Sequence, residues 1–279
     1  MNIAVIGLGL IGGSMALELK QKGFCNYVIG VDNNKEHSES ALELKIIDET
    51  CSIEKAIKKS ELIILSTPVN ISSKIILSIL NNIENQILMD VGSTKNELIE
   101  KIKSHPKRKN FVATHPIAGT EFSGPSAAHL GLFKNKVTII CDQKDSSSIA
   151  LDRIKEIYDV LEMKIIFMTA KDHDVHSAYV SHISHISSFS LALSVMDKEK
   201  DEKNILNMAG SGFESTVRLA KSNKEMWTPI FNENKKNILE VLDNYIGKLN
   251  AFRDAINNNN ESALNSLIHK ANGIKKILK

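Results

Sequence analysis

Cysteine is scarce in this sequence: three cysteines occur among 279 residues, and no two of them form a C-x-x-C pair. This excludes a scaffold built on disulfides and leaves no thiolate metal motif. No apolar run approaches the roughly 20 residues that span a bilayer, and no basic leader precedes the first apolar run. We therefore expect neither membrane insertion nor secretion, and a location in the reducing cytoplasm.

The sequence also lacks an excess of either charge. It holds 35 Lys and Arg against 33 Asp and Glu, for a formal net charge of +2. Because nucleic-acid and anionic-membrane surfaces are strongly basic, we expect neither partner. Hydrophobic residues make up 42% of the chain, which is typical of a soluble globular protein, and the length predicts about two domains.

Short β-rich runs alternate with amphipathic helical stretches over the first 168 residues. We predict an α/β fold with an N-terminal Rossmann-type, doubly wound and mainly parallel sheet at residues 1–168. Residues 169–279 show only helical spacing, which predicts an all-α second domain for substrate binding and dimerisation. The predicted strands are 2–6, 27–31, 62–65, 87–91, 111–114, 137–141 and 164–167.

A glycine-rich segment follows the first predicted strand and opens a helix. In the G-x-G-x-x-G pattern the glycines permit a tight turn, close backbone approach to a pyrophosphate and helix–strand packing. Asp32 ends the second predicted strand, where its carboxylate can accept hydrogen bonds from ribose hydroxyls and repel a 2′-phosphate, so NAD is favoured over NADP. An alternative role for Asp32 is a helix N-cap. The segment consists of Gly7, Leu8, Gly9, Leu10, Ile11 and Gly12.

Three further clusters of polar residues are predicted where strands end. This is the edge at which doubly wound sheets bind ligands. Ser66, Thr67 and Pro68 form the first cluster, residues 90–95 with Ser93 form the second, and residues 115–121 form the third. His115, in the third cluster, is the one histidine at a strand end within the predicted sheet domain.

These motifs resemble those of the prephenate dehydrogenase family, which includes arogenate dehydrogenases. The similarity runs from the glycine loop through V-G-S-T-K at 91–95 and H-P-I-A-G-T-E at 115–121 to R-L-A-K-S at 218–222 and Met226-Trp227. It implies an NAD-dependent oxidative decarboxylation of prephenate to 4-hydroxyphenylpyruvate and carbon dioxide in tyrosine biosynthesis.

The resemblance also implies roles for individual residues. His115 takes the proton of the ring hydroxyl as hydride leaves, and Ser93 hydrogen-bonds at the same site, where it also contacts the cofactor. Arg218 binds a substrate carboxylate, because a guanidinium can form two parallel hydrogen bonds to one. His185 and Thr120 line the substrate pocket, and Trp227 with Glu121 closes it. Ser66, Thr67 and Pro68 join the glycine loop in holding NAD.

Two histidine pairs admit other interpretations. His182 and His185 share a helical face, but we predict no metal there, because a third ligand is missing nearby. His173 and His176 fall at a helix start among aspartates, where we expect a solvated surface role. Relatives often carry an aspartate three residues before the arginine, whereas this chain has Ser215, so any ion pair that orients Arg218 must be built differently.

The remaining alternatives concern function and assembly. An arogenate dehydrogenase on the same scaffold differs only in the substrate's amino group. A general β-hydroxyacid dehydrogenase or imine reductase would lack the His115 loop, and a dinucleotide-sensing binding protein would lack turnover. We expect a homodimer, because the helix spanning residues 179–196 is apolar on more than one face.

Overall fold

The computed structural model describes residues 1–202 and 204–277. Eight strands form one sheet in the order β3-β2-β1-β4-β5-β6-β7-β8. The strands are β1 Asn2–Ile6, β2 Tyr27–Val31, β3 Glu49–Thr50, β4 Leu62–Leu65, β5 Ile87–Asp90, β6 Phe111–Pro116, β7 Val137–Cys141 and β8 Lys164–Met168.

Twelve α-helices accompany the sheet in the part of the chain that the structure describes. They are α1 Leu10–Gln21, α2 Lys35–Glu43, α3 Ile53–Lys59, α4 Val69–Asn82, α5 Asn96–Ile102, α6 Ser148–Val160, α7 Ala170–Ser177, α8 Ile183–Asp201, α9 Ser211–Val217, α10 Lys224–Glu233, α11 Lys235–Asn257 and α12 Glu261–Ala271. A π-helical turn, Ala178–His182, joins α7 to α8. None of these helices is long and apolar enough to cross a membrane.

The sheet is parallel from β3 to β6 and reverses once. β7 runs antiparallel to β6, and β8 is parallel to β7. Strand order reverses at β1, so the loops after β1 and β4 diverge and leave a crevice at the carboxyl edge, where doubly wound sheets bind ligands. The predicted Rossmann-type, mainly parallel sheet followed by helices is thus confirmed.

Both faces of the sheet are buried beneath helices at its central strands, whereas the edge strands β3 and β8 are partly exposed. On β1, Ile3 and Val5 belong to one apolar core, whereas Ala4 and Ile6 belong to another on the opposite face. Successive strand side chains point to opposite faces, so a strand covered on both sides must be apolar at every position. This explains why the strands lack polar alternation.

Contacts between residues group the chain into two compact units, Met1–Asn234 and a second that begins at Lys235. The first unit contains the sheet and helices α1 to α10. The second is built on α11 and α12, which pack against each other. The division predicted after Met168 stays a prediction.

Helix α8 is more exposed in the single chain than its sequence predicts. Leu193 is 61% exposed and Met196 is 56% exposed. Ser188, by contrast, is buried, and its hydroxyl donates to the carbonyl of Thr216 at 3.0 Å. The C-terminal half of the helix therefore presents apolar side chains that the described residues of its own unit do not cover.

Candidate active site

The glycine loop between β1 and α1 is shaped by close backbone contacts. Gly7 has a φ of +97°, and a Cβ there would lie 2.4 Å from the carbonyl oxygen of Ser66. A Cβ on Gly12 would lie 2.3 Å from the carbonyl oxygen of Gly7. Side chains at either position would collide with backbone, so the turn and its contact with the loop after β4 both require glycine.

Gly9 differs from these two glycines because a Cβ there would meet no atom within 4 Å. It is the N-cap of α1, and no side chain caps the helix. The first-turn N–H groups therefore receive no side-chain cap and lie at the positive end of the helix dipole. This cradle fits the pyrophosphate of a dinucleotide, and Leu10 and Ile11 continue its first turn.

Asp32 lies just after β2 and braces this loop. Its Oδ2 accepts the N–H of Leu8 at 2.8 Å, and its Oδ1 accepts the N–H of Asn34 at 2.9 Å. A carboxylate offers about four acceptor positions, so two remain for ribose hydroxyls. The N-cap of α2 is Asn34 rather than Asp32, so the alternative role of Asp32 as a helix cap is wrong.

The loop after β4 lies directly against the glycine turn. A Cβ on Gly12 would stand 3.0 Å from the Oγ of Ser66. The Thr67 hydroxyl hydrogen-bonds with the hydroxyl of Ser72 at 2.8 Å, and Pro68 is the N-cap of α4. The structure therefore brings Ser66 to the predicted cofactor cradle and fixes the two residues that follow it.

The loop after β5 is anchored on both sides of Ser93. Thr94 donates its hydroxyl hydrogen to Glu233 at 2.7 Å, and the buried ammonium of Lys95 pairs with the carboxylate of Asp90. Ser93 itself is half-buried, and its hydroxyl has no hydrogen-bond partner within residues 1–202 and 204–277. Its neighbours thus hold Ser93 in place while its hydroxyl stays available.

His115 lies near the end of β6 and contacts a second imidazole. Its Nδ1 is 2.8 Å from the Nε2 of His173, and the Nδ1 of His173 is 2.8 Å from the Oδ1 of Asp174. Burial lowers the pKa of His115 well below its ordinary value, and the electrostatic effects of the neighbouring His173 and Lys95 lower it further. A neutral imidazole is therefore the resting form, and it can accept a proton.

The expectation of a solvated His173 is wrong. His173 is 1% exposed and Asp174 is 3% exposed, because α7 packs against the sheet with these side chains facing inward. His176, one turn later, is exposed as expected. The sequence held one signal, a histidine directly followed by an aspartate. Whether these two side chains are buried depends on how α7 packs against the sheet.

A second cluster contains His185, Trp227 and His182. The rings of His185 and Trp227 stack with centroids 3.4 Å apart, and His182 meets the indole edge-on. The carbonyl of Ser181 lies 3.0 Å from the Nδ1 of His185, which therefore carries a proton. Burial lowers the pKa of His185, and the cation of Arg218 adds to this effect.

The other predicted site residues form no hydrogen bond or ring contact with these two clusters in the part of the chain that the structure describes. Arg218 is exposed at the end of α9 and forms no ion pair with the described residues. The serine at position 215, where relatives often have an aspartate, donates its hydroxyl hydrogen to the carbonyl of Gly212 at 2.9 Å. The guanidinium of Arg218 is therefore left available for an anion.

Thr120 is exposed and Glu121 is half-buried on the long loop between β6 and β7. In the described parts of the chain, no hydrogen bond or ion pair joins either residue to His115, His185 or Arg218. A cavity of about 480 Å³ opens beside this loop. It is lined by Glu121, Phe122, Ser123, Ser126 and Ala127.

The described residues contain no cluster of three or more His, Cys, Asp or Glu side chains able to hold a metal ion. His182 instead accepts a hydrogen bond at Nδ1 from the side-chain amide of Asn234, at 3.1 Å.

The sheet and the loops that follow β1, β2, β4, β5 and β6 together define a nucleotide-binding dehydrogenase of the Rossmann type. Comparison with known proteins gives the family. Residues 15–167 match the model of the prephenate dehydrogenase nucleotide-binding domain, and residues 169–270 match the dimerisation domain of the same family. The chain belongs to the prephenate dehydrogenase family, as the sequence motifs predicted, and is an NAD-dependent oxidoreductase.

Three similar proteins illustrate the range of relatives. Prephenate dehydrogenase of Bacillus subtilis is 30% identical over 90% of this chain and 69% of its own length. Cyclohexadienyl dehydrogenase of Zymomonas mobilis is 29% identical over 91% of this chain and 88% of its own length. The structure of Aquifex aeolicus prephenate dehydrogenase, in complex with hydroxyphenyl propionate and NAD, is 29% identical, has a TM-score of 0.89, and covers 99% of this chain and 98% of that one.

Proposed function

We propose that this protein is a prephenate dehydrogenase that converts prephenate and NAD into 4-hydroxyphenylpyruvate, carbon dioxide and NADH. The observation that carries this proposal is the half-buried, neutral His115, held by His173 at the carboxyl edge of a dinucleotide-binding sheet. A neutral imidazole at that edge is suited to take a proton from a substrate hydroxyl.

The nucleotide site is assigned to the loops after β1, β2 and β4. The uncapped first turn of α1 stabilises phosphate charge, and Asp32 receives the ribose hydroxyls. Bound NAD supplies the hydride acceptor of the reaction. The residues assigned to it are Gly7, Leu8, Gly9, Leu10, Ile11, Gly12, Asp32, Ser66, Thr67, Pro68 and Ser93.

His115 and Ser93 are assigned the proton chemistry. As hydride leaves the ring carbon, its hydroxyl becomes strongly acidic, and His115 accepts the proton while Ser93 hydrogen-bonds to the same oxygen. Loss of the ring carboxylate as carbon dioxide then returns an electron pair to that oxygen. The oxygen takes the proton back from His115 as the ring becomes aromatic, so no net proton is released.

Cationic and aromatic side chains on the helical segments are assigned to the dicarboxylate. Arg218 forms a bidentate pair with one carboxylate, and His185, stacked on Trp227, lines the same pocket. Glu121 and Thr120, on an exposed loop beside a cavity, are assigned to its closure and lining. In this assignment, residues at the sheet edge transfer the proton, and residues on the helical segments bind the negative charge of the substrate.

A homodimer is the proposed assembly, and the cytoplasm remains the predicted location. The match to a family dimerisation domain and the exposed apolar residues of α8 and α11 support a second copy as the partner. Sedimentation analysis that finds a stable, active monomer would refute the dimer.

An arogenate dehydrogenase is the second candidate, because a relative of nearly equal identity is named a cyclohexadienyl dehydrogenase rather than a prephenate dehydrogenase. The test is the initial rate of NADH formation at saturating NAD, with prephenate and with arogenate in parallel. A rate at least tenfold higher with prephenate supports the proposal. A preference for arogenate changes the substrate, and NAD binding without turnover of either compound would favour a dinucleotide-sensing protein.

A further inference from the structure

The carboxylate of Asp174 connects two segments that surround His115. Its Oδ1 accepts the N–H of Lys95 at 2.8 Å as well as the bond from His173, and its Oδ2 accepts the N–H of Asn96 at 2.8 Å. Asp174 thereby joins the start of α5, directly after Ser93, to the histidine that contacts His115. Three donors satisfy this buried charge and fix its position.

The hydrogen bonds dictate where the protons lie. An ionised carboxylate only accepts, so the proton between Asp174 and His173 is on the Nδ1 of His173. In a neutral His173 the Nε2 is then an acceptor, and its contact with His115 requires a proton on the Nδ1 of His115. The Nε2 of His115 is left unprotonated and has no partner within the described residues.

We propose that His173 and Asp174 are positioning residues that hold His115 in the tautomer protonated at Nδ1, so that its Nε2 accepts the substrate proton. The last clause rests on the proposed function, whereas the tautomer does not. Neutral histidine in water prefers the opposite tautomer, protonated at Nε2. Without the pair, His115 would therefore present a donor where the reaction needs an acceptor.

Two substitutions of His173 separate positioning from packing. In His173→Gln the side-chain carbonyl extends to the place of Nε2 and can accept from His115. The shorter side chain of His173→Asn retains the contact with Asp174 but does not reach His115. His176→Asn, on the exposed side of the same helix, is the matched control.

For His173→Asn we expect kcat with prephenate to fall by about 10²–10⁴-fold, with KM within about threefold of the original value. His173→Gln should recover at least about tenfold of that loss, because it restores the acceptor, and His176→Asn should behave as the unsubstituted protein. Equal kcat values for the Gln and Asn variants would overturn the positioning role.

The tautomer is measured without any substrate. In protein labelled with ¹⁵N-histidine, long-range ¹H–¹⁵N spectra at pH 8 distinguish protonated from bare ring nitrogens, and His115→Asn identifies the His115 signals. We expect Nδ1 protonated in the original protein and Nε2 protonated in His173→Asn and Asp174→Asn. An Nε2-protonated His115 in the original protein refutes this inference and leaves the proposed function standing. The expected tautomer in a protein that does not turn over prephenate refutes only the proposed function.

Discussion

The indole of Trp227 stacks on the imidazole of His185 with ring centroids 3.4 Å apart and planes inclined by 26°. Trp227 is the only tryptophan of the chain, so the indole fluorescence of the protein originates at this contact. A protonated imidazole quenches a stacked indole more strongly than a neutral one. The emission of the protein therefore reports the charge of His185 at the proposed substrate pocket and, in a separate transition near pH 4, that of His182, which meets the indole edge-on.

A pH titration of this emission tests the electrostatics of the pocket. Burial chiefly, and the Arg218 cation in addition, lower the pKa of His185, so the quenching midpoint should lie below pH 6.5. Arg218→Ala removes a repelling charge and should raise the midpoint toward 6.5, whereas Lys221→Ala, in the same turn, should leave it unchanged. An unshifted midpoint in Arg218→Ala would show that the guanidinium is not near His185.

Stability should fall as the medium is acidified through the histidine range. Burial lowers the pKa of His182 to about 4, and the Asn234 amide hydrogen bond to its Nδ1 is lost on protonation. The folded state thus binds fewer protons than the unfolded chain between about pH 6.5 and 4. The contribution of His182 is complete above pH 6.5 and lost progressively below it, by up to about 3 kcal/mol.

Urea unfolding at several pH values measures this loss. His182→Gln should reduce the slope of unfolding free energy against pH between 6.5 and 4, whatever its effect on the absolute stability. His176→Gln, at an exposed site, should retain the original slope. A slope that is identical in the original protein and in His182→Gln would contradict a buried neutral His182.

Much of the fold was predictable because each local signal agreed with the tertiary structure. The continuous apolar runs of β1, β2, β4 and β5 predict strands that helices cover on both faces. The glycine turn is recognisable because its close backbone contacts require glycine. The reversal of β7 was not predictable, because an antiparallel strand buried on both faces has the same composition as a parallel one.

The proposed site was predictable only where a motif marks a strand end. His115 and Ser93 follow strands, and their positions follow from the sheet. His173 was missed because its burial depends on the docking of α7 over the sheet edge. The π-helical turn at residues 178–182, which ends at the buried His182, likewise leaves no periodic signal in the sequence.

Two alanine substitutions in the glycine loop should have opposite consequences. The methyl group added by Gly9→Ala would have no protein atom within 4 Å, and Gly9 has a φ of −79°, which alanine adopts easily. The unfolding free energy of this variant should therefore change by less than about 0.5 kcal/mol. Its methyl group enters the proposed pyrophosphate cradle, and NAD affinity should fall at least about tenfold. Gly12→Ala should instead lose about 1–3 kcal/mol of stability, because its Cβ would lie 2.3 Å from a backbone oxygen.

Calorimetric titration with NAD and thermal unfolding of the two variants separate these effects. A Gly9→Ala protein that binds NAD like the original would remove the first turn of α1 from the nucleotide site. A Gly12→Ala protein of unchanged stability would contradict the close contact between the helix and the turn.

Removing the carboxylate after β2 should weaken NAD binding and relax discrimination against NADP. Asp32→Ala deletes an acceptor for ribose hydroxyls and the negative charge that repels a 2′-phosphate, so KM for NAD should rise about 10–100-fold. The NAD to NADP ratio of kcat/KM should fall by at least a factor of ten. Asp48→Ala, a surface carboxylate after α2 that pairs with Lys20, is the control and should keep the original ratio. An unchanged ratio in Asp32→Ala would remove Asp32 from its assigned role.

The kinetic effects of substitutions at His115 and Arg218 test whether His115 transfers the proton and Arg218 binds the substrate carboxylate. His115→Asn removes the proton acceptor but no substrate charge contact, so kcat should fall by about 10²–10⁴-fold with little change in KM. Arg218→Ala removes a charge-assisted bidentate contact, so KM for prephenate should rise about 10–100-fold while kcat falls less. Steady-state rates with prephenate varied at saturating NAD provide both constants. A loss confined to KM in His115→Asn, or to kcat in Arg218→Ala, would exchange the two roles.

The pH profile of kcat tests His115 separately. Because burial lowers the pKa of His115, its protonation limits activity only in acid. The acid limb of the original profile should therefore lie below pH 6.5, and it should be absent from the residual activity of His115→Asn.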